Sequence, residues 1–215
     1  MLKEIQRAII LCSSVAVVFP LLLALKNFKN FPADLKAISW YLINATVFST
    51  IALSLWLTQK NNLPLLHLYT ITEFVCISYF YYFVFTAKNQ RKTIGIITAL
   101  FCSFSVLNVF FIQDLHTFNT IPRSIESIVL IVYALLCFQQ QLKQLNFTRL
   151  EYSWLFWVNT GFLIYFSSAL LLFTLSNYIL PLNHQLNMYI WILHALFSVL
   201  QYFLIFIGLW QHRRR

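Results

Sequence analysis

Four ionisable side chains, Glu73, Arg123, Glu126 and His194, stand inside long apolar stretches of this chain. A charged group held in hydrocarbon without compensation costs about 2.5–3.5 kcal/mol on the most lenient scale, so each must be neutral, paired or turned toward a wet cavity. Glu73 lies in PLLHLYTITEFVCISYFYYFVF, Pro64 to Phe85, a stretch with no Lys or Arg of its own. Arg123 and Glu126 are related as i and i+3, one helical turn apart on one face, which permits direct pairing. Gathered at one place, these groups suit two kinds of chemistry. A carboxylate base (Glu73 or Glu126), an acid–base imidazole (His194) and a guanidinium facing phosphate or oxyanion charge (Arg123) make an intramembrane enzyme for lipid or lipid-linked substrates. The same set makes a polar binding pocket. Beside both stands a purely structural reading, in which Arg123 neutralises the carboxylates and His194 is a hydrogen-bonded interior histidine.

The elements that carry these residues follow from composition. Of 215 residues 60% are hydrophobic and 10% charged, too little polar surface for a soluble globule. Runs of about 20 apolar residues, enough to cross ~30 Å of hydrocarbon as helix, occur seven times. They cover approximately 7–26, 37–58, 64–86, 93–113, 121–141, 153–176 and 187–210. Continuous runs such as Ile128 to Phe138 do not alternate as barrel strands would. The first run has a basic start like a signal peptide, but no small-residue cleavage site precedes Lys26, so it counts as a span. The expectation is a single all-α domain, residues 1–215, a polytopic seven-transmembrane-helix bundle.

Orientation follows from Lys and Arg. Lys3, Arg7, Lys60 and Arg123 fall on the side of the N-terminus, against Lys26, Lys29, Lys36, Lys88, Arg91, Lys92, Lys143, Arg149, Arg213, Arg214 and Arg215 on the other. The positive-inside rule then places the N-terminus outside and the C-terminus in the cytoplasm. The net charge of +9 is thereby explained by topology, and nucleic acid is not an expected partner. Pro20 interrupts the first span and should kink it, whereas Pro32, Pro64 and Pro122 stand at helix starts and Pro181 in a loop. Only three glycines occur, so packing through large aromatic side chains is expected rather than close GxxxG contacts.

Helices three, five and seven all begin on the N-terminal side. Glu73, Glu126 and His194 then lie roughly 14, 8 and 10 Å deep, at nearly one level in the outer half of the bilayer. Ser167 and Ser168 on the sixth helix reach the same depth. On the seventh, Asn187, Trp191, His194, Ser198 and Gln201 recur at steps of four and three, one face that must turn inward. Tyr69 shares a face with Glu73, and Leu130 and Tyr133 extend the Arg123–Glu126 stripe. The pattern predicts a pocket between the third, fifth and seventh helices, closed by the sixth, with Tyr69, Glu73, Arg123, Glu126, Tyr133, Ser168, Trp191, His194, Ser198 and Gln201 as ligand contacts.

Other chemistries fit less well. The last span has no lysine for a retinal Schiff base. His184 and His194 are ten apart, with His184 in a loop, which does not match a seven-helix zinc hydrolase, though Glu73, Glu126 and His194 are a conceivable divalent site. No GxSxG, P-loop or HExxH occurs. Cys12, Cys76, Cys102 and Cys137 lie in apolar runs without CxxC pairing and read as packing residues. No cofactor or metal is expected. The segment WLFWVNTG, Trp154 to Gly161, resembles the tryptophan-rich motif of nicotinamide riboside transporters. An aromatic belt accounts for Trp154, and interhelical hydrogen bonding for Asn159 and Thr160, without a substrate.

The phrases HLYTITEF, FNTIPRSIESIVLIVY, FWVNTGFLIYFSS and WILHALFSVLQYFLIFIGLW resemble a group of short bacterial seven-span membrane proteins of unassigned function. The resemblance covers most of the chain, implies seven helices in the plasma (bacterial inner) membrane and supplies no activity. The favoured function is a receptor-like or sensory binding module with an outer-half pocket for a small polar or amphipathic ligand. In it Arg123 and His194 contact an anionic or hydrogen-bonding group, and Glu73 and Glu126 set the charge. Its basic inner loops meet anionic lipid or a cytoplasmic or membrane protein partner. An intramembrane enzyme is the alternative, and a small-solute transporter, lacking a repeat for alternating access, comes third.

Overall fold

The computed structural model describes residues 2–144, 150–179 and 184–213. Pro181, Arg149, Arg214 and Arg215 lie outside the described residues. All regular structure there is helical, and seven helices of 21 to 26 residues are long and apolar enough to cross a membrane. The elements are α1 Leu2–Ala16, α2 Val18–Asn27, α3 Ala33–Leu57, α4 Leu63–Val84, α5 Lys88–Phe111, α6 Thr120–Gln144, α7 Trp154–Ile179 and α8 His184–Arg213.

The first span is divided between α1 and α2, with the break at Val17. Pro20 causes it. Its ring has no N–H for the carbonyl four residues back and crowds that carbonyl, so the helix gives way one turn upstream. At several other ends, counting apolar residues stops short, and the helix runs further out than the apolar run. α5 begins at Lys88 rather than 93 because its first turns carry Lys88, Arg91 and Lys92, polar residues that extend a helix beyond the hydrocarbon. For the same reason α8 begins at His184, which is the first helical residue and not part of a loop.

Successive spans pack side by side into a closed ring, with α1 and α2 against both α3 and α8. α4 touches α3, α5 and α6 and carries the centre of the core, with Phe74, Ile77, Phe80 and Tyr81 sealed from the surface. The Phe80 and Tyr81 rings meet Phe162 of α7, which in turn packs edge-on against Tyr41 of α3 at 5.4 Å. The outer faces carry exposed Phe19, Leu100, Phe111 and Leu171, as a lipid-facing surface requires.

Aromatic packing is only half of the story. α7 and α8 come together closely at two isolated glycines: a Cβ on Gly208 would lie 2.8 Å from the Trp154 carbonyl oxygen and 2.7 Å from Val158 Cγ2. A Cβ on Gly161 would lie 3.2 Å from the Gln201 carbonyl. One glycine on each helix achieves what a GxxxG pair does elsewhere.

Candidate functional site

The site begins with how α6 is seated on α4. Asn119, just before α6, is buried and donates from Nδ2 to Thr70 Oγ1 at 2.6 Å and to the Leu66 carbonyl at 3.3 Å, both on α4. Gln113 Oε1 accepts the Ile121 N–H at 3.2 Å, satisfying one of the donors left free at a helix start. His67 of α4 meets the Thr117 carbonyl at 3.1 Å. These contacts fix the first turn of α6 against α4, and Arg123, in that turn, faces Glu73.

Arg123 Nη1 donates to Oε2 of Glu73 and to Oε2 of Glu126, the latter at 2.7 Å. Its Nη2 donates to the Tyr165 hydroxyl of α7 at 2.8 Å. Tyr69 donates to Glu73 Oε1 at 2.7 Å, the i,i+4 contact within α4. The guanidinium also lies over the rings of Phe173 at 5.2 Å and of Tyr69, Tyr165 and Phe166 at 5.8 Å, cation–π contacts that are strongest where water is excluded. Arg123 is 4% exposed and both carboxylates 0%. One guanidinium thus binds three helices through two carboxylates and a phenol. Of the four carboxylate oxygens in this cluster, Glu126 Oε1 is the one buried without a partner among the described residues.

Adjoining this cluster is a cavity of about 410 Å³. Its inner wall is Tyr69, Tyr165, Trp191, His194, Ser198 and Tyr202, and across from it stand Ser13 and Ser14 of α1 with Phe48 and Trp56 of α3. Glu73, Arg123 and Glu126 do not line it. Tyr69 and Tyr165 belong to both, each bordering the cavity while its hydroxyl bonds the ion cluster. They form a phenolic partition between charge and void.

Of the residues singled out from sequence, Tyr69, Trp191, His194 and Ser198 line the cavity, while Glu73, Arg123 and Glu126 form the sealed cluster behind it. The other three stand elsewhere. Tyr133 packs 5.5 Å from the Tyr81 ring, toward the C-terminal face. Ser168 returns its hydroxyl to the Tyr165 carbonyl at 2.7 Å, and Gln201 donates to the Tyr41 hydroxyl at 3.0 Å. Thr160 is likewise spent on its own helix, on the Phe156 carbonyl, whereas Asn159 does bridge helices.

The cavity lies between α8, α4, α3 and α1, not between α4, α6 and α8, and no α6 side chain borders it. The reason is volume. Arg123 and its ring of aromatic neighbours fill the space among α4, α6 and α7, while Ser13, Ser14, Ser49, Ala52 and Ala195 leave room where α1, α3 and α8 meet. Tyr165 was not singled out from sequence, although a tyrosine in mid-span needs a partner for its hydroxyl and so carried a signal.

His194 sits among rings, 5.1 Å from Phe173, 5.5 Å from Tyr165 and 6.0 Å from Trp191. Its Nδ1 is buried without a hydrogen-bond partner among the described residues. Among the described residues no three His, Cys, Asp or Glu side chains gather into a metal site.

No protein family matches this chain, and neither does any curated protein or solved structure. What the site can do therefore rests on its own geometry. A guanidinium already shared by two carboxylates and a tyrosine has little left for an anionic ligand. The cavity offers instead a mainly aromatic wall, a few hydroxyls and one imidazole, which is the composition of a small-molecule pocket.

Proposed function

We propose that the chain is a receptor-like or sensory binding module of a bacterial plasma membrane. In this reading the N-terminus is outside, the basic tail is cytoplasmic, and the cavity opens in the outer half of the bundle to a small ligand. The observation that carries the reading is the partition: about 410 Å³ of preformed space, walled by Tyr69, Tyr165, Trp191, His194 and Tyr202, with the ionic cluster excluded from it. Pockets of this size bury drug-sized ligands, and the polar groups at one end orient them. Lys26, Lys29, Lys36, Lys88, Arg91 and Lys92 on the opposite face would meet anionic lipid or a partner protein.

An intramembrane enzyme remains the second reading because the cavity borders α1 and α3, where a lipid substrate would approach. It ranks lower because Glu73 and Glu126, the bases it needs, stand behind the phenols and out of hydrogen-bond reach of anything in the cavity. Mass spectrometry of small molecules that co-purify with the protein tests the binding reading. A species recovered with the native chain should disappear with Ala195→Phe or Ser198→Trp, which fill the void while the protein still elutes as one folded peak. Equal recovery from native and filled proteins would contradict it. A C-terminal green fluorescent protein fusion that fluoresces, paired with a C-terminal alkaline phosphatase fusion that is inactive, is the expected result for the orientation.

A further inference from the structure

The cavity wall is uneven in polarity. Toward its inner end stand His194, Tyr165 and Tyr202; toward its outer end stand Ile10, Leu53, Leu65 and Trp56, with Asn62 as the polar residue among them. Trp56 also lines a second cavity with Leu11, Leu57 and Gln59, so the void runs out to the α1/α3 edge, where Leu11 is 40% and Trp56 37% exposed. That edge faces lipid.

The polar groups at the inner end have unused capacity. Tyr165 accepts a hydrogen bond from Arg123, and its own O–H has no acceptor among the described residues. His194 has no hydrogen bond through either ring nitrogen there: Nδ1 is sealed, and Nε2 is the nitrogen left for the cavity. A ring flip would exchange the two. The serines contribute less, since Ser13 and Ser14 bond back to the Ile10 carbonyl and Ser198 to that of His194. Among the described residues no Asp, Glu, Lys or Arg side chain borders the cavity, so an ionic group placed in it would meet no counter-charge from them.

We infer that the cavity takes an uncharged amphiphile, entering from the membrane between α1 and α3, whose hydroxyl or carbonyl head hydrogen-bonds His194 and Tyr165 and whose apolar remainder lies along Phe48 and Trp56. The inference rests on the binding reading above and narrows it from a small ligand to a neutral, membrane-dissolved one. The head goes to this end because His194 and Tyr165 are the buried polar groups there that keep unused hydrogen-bonding capacity among the described residues, and leaving them unpaired against an apolar ligand is unfavourable. Arg123 takes part only through Tyr165, as a positioning residue that fixes the phenol so that its O–H points away from the ion cluster.

Photolabelling of the native protein in phosphatidylcholine nanodiscs tests this. Three diazirine probes share a twelve-carbon chain and end in a hydroxyl, a carboxylate or a trimethylammonium group. The alcohol should label peptides carrying Trp56, Trp191 or Tyr202 about tenfold more than either charged probe, and excess unlabelled 1-dodecanol should abolish that labelling. His194→Leu and Tyr165→Phe should each reduce it about fivefold or more, and Thr98→Ala, remote on α5, should leave it unchanged. If a charged probe labels these peptides as strongly as the alcohol, or if both substitutions leave labelling unchanged, the neutral-head inference is overturned while the binding reading stands. If none of the three probes gives competable labelling of the cavity, both fall. Should the two variants not fold, the comparison of probes on the native protein decides.

Discussion

Toward the C-terminal face, the Tyr81 hydroxyl donates to Asn159 Oδ1 at 2.8 Å and Asn159 Nδ2 donates to the Ala134 carbonyl at 3.0 Å, joining α4, α7 and α6. Around that chain the helices close on each other at Gly208 with no space for a methyl group. Toward the N-terminal face the same three helices meet through Arg123, Glu73 and Tyr165, but beside them a cavity opens and His194 Nδ1 has no hydrogen-bond partner among the described residues. Both regions satisfy α4 against α6 and α7. Buried polar atoms without partners among the described residues occur in both, the hydroxyl of Tyr133 beside Tyr81 among them, but only the second region has a cavity for its spare polar groups to face, and that volume is what separates a site from a structural contact.

The comparison can be broken at its ionic centre first. Arg123→Leu should destabilise the protein by about 3–5 kcal/mol, because two buried carboxylates lose their cation. Replacing Glu73 and Glu126 with leucine in the same chain should recover much of that loss. Thermal unfolding in detergent measures both, and an unchanged midpoint for the single variant would show that the cluster is not what joins the helices there. In the other region Asn159→Leu strands the Tyr81 hydroxyl and removes the bond to the Ala134 carbonyl, and should cost about 1–3 kcal/mol in the same assay.

The packing difference is sharpened by glycine. Gly208→Ala should destabilise by about 1–3 kcal/mol, since its Cβ would press on backbone at Trp154. Gly95→Ala, with nothing within 4 Å of the new methyl group, should be neutral or gain roughly 0.5–1 kcal/mol from helix propensity. Equal effects at the two positions would contradict the close α7–α8 contact. The smallest change is expected of Glu126→Gln, about 1 kcal/mol or less, because Oε1 has no partner to lose and Glu73 still pairs with Arg123. A larger loss than that of Glu73→Gln would reverse the assigned roles of the two carboxylates.

Much of this was legible in the sequence. Seven spans follow from the length of apolar runs, the break at Val17 from Pro20, and the Arg123–Glu126 contact from i,i+3 spacing. The pairing of Glu73 with Arg123 was open to sequence reasoning because a lone carboxylate in hydrocarbon needs a cation and few were available. The position of the cavity was not. It depends on small side chains, Ser13, Ser14, Ser49 and Ala52, on two helices that carry no ionisable signal, and on α1 meeting α8 across 180 residues of chain. Helical periodicity put Gln201 on the His194 face and depth put Ser168 at the level of Glu73, but the first bonds Tyr41 and the second its own backbone.

The central claim is that an accessible chamber and a sealed ionic layer lie side by side at similar depth. Its most direct test replaces Cys12, Cys76, Cys102 and Cys137 with alanine, introduces Ser198→Cys or Leu130→Cys one at a time, and measures labelling by a small membrane-permeant thiol reagent in native membranes. Ser198 lines the cavity and Leu130 is fully buried one turn beyond Glu126, so the first should label readily and the second hardly at all. An inert cysteine at 198, or equal labelling at 130, would mean that the chamber and the partition do not exist as described.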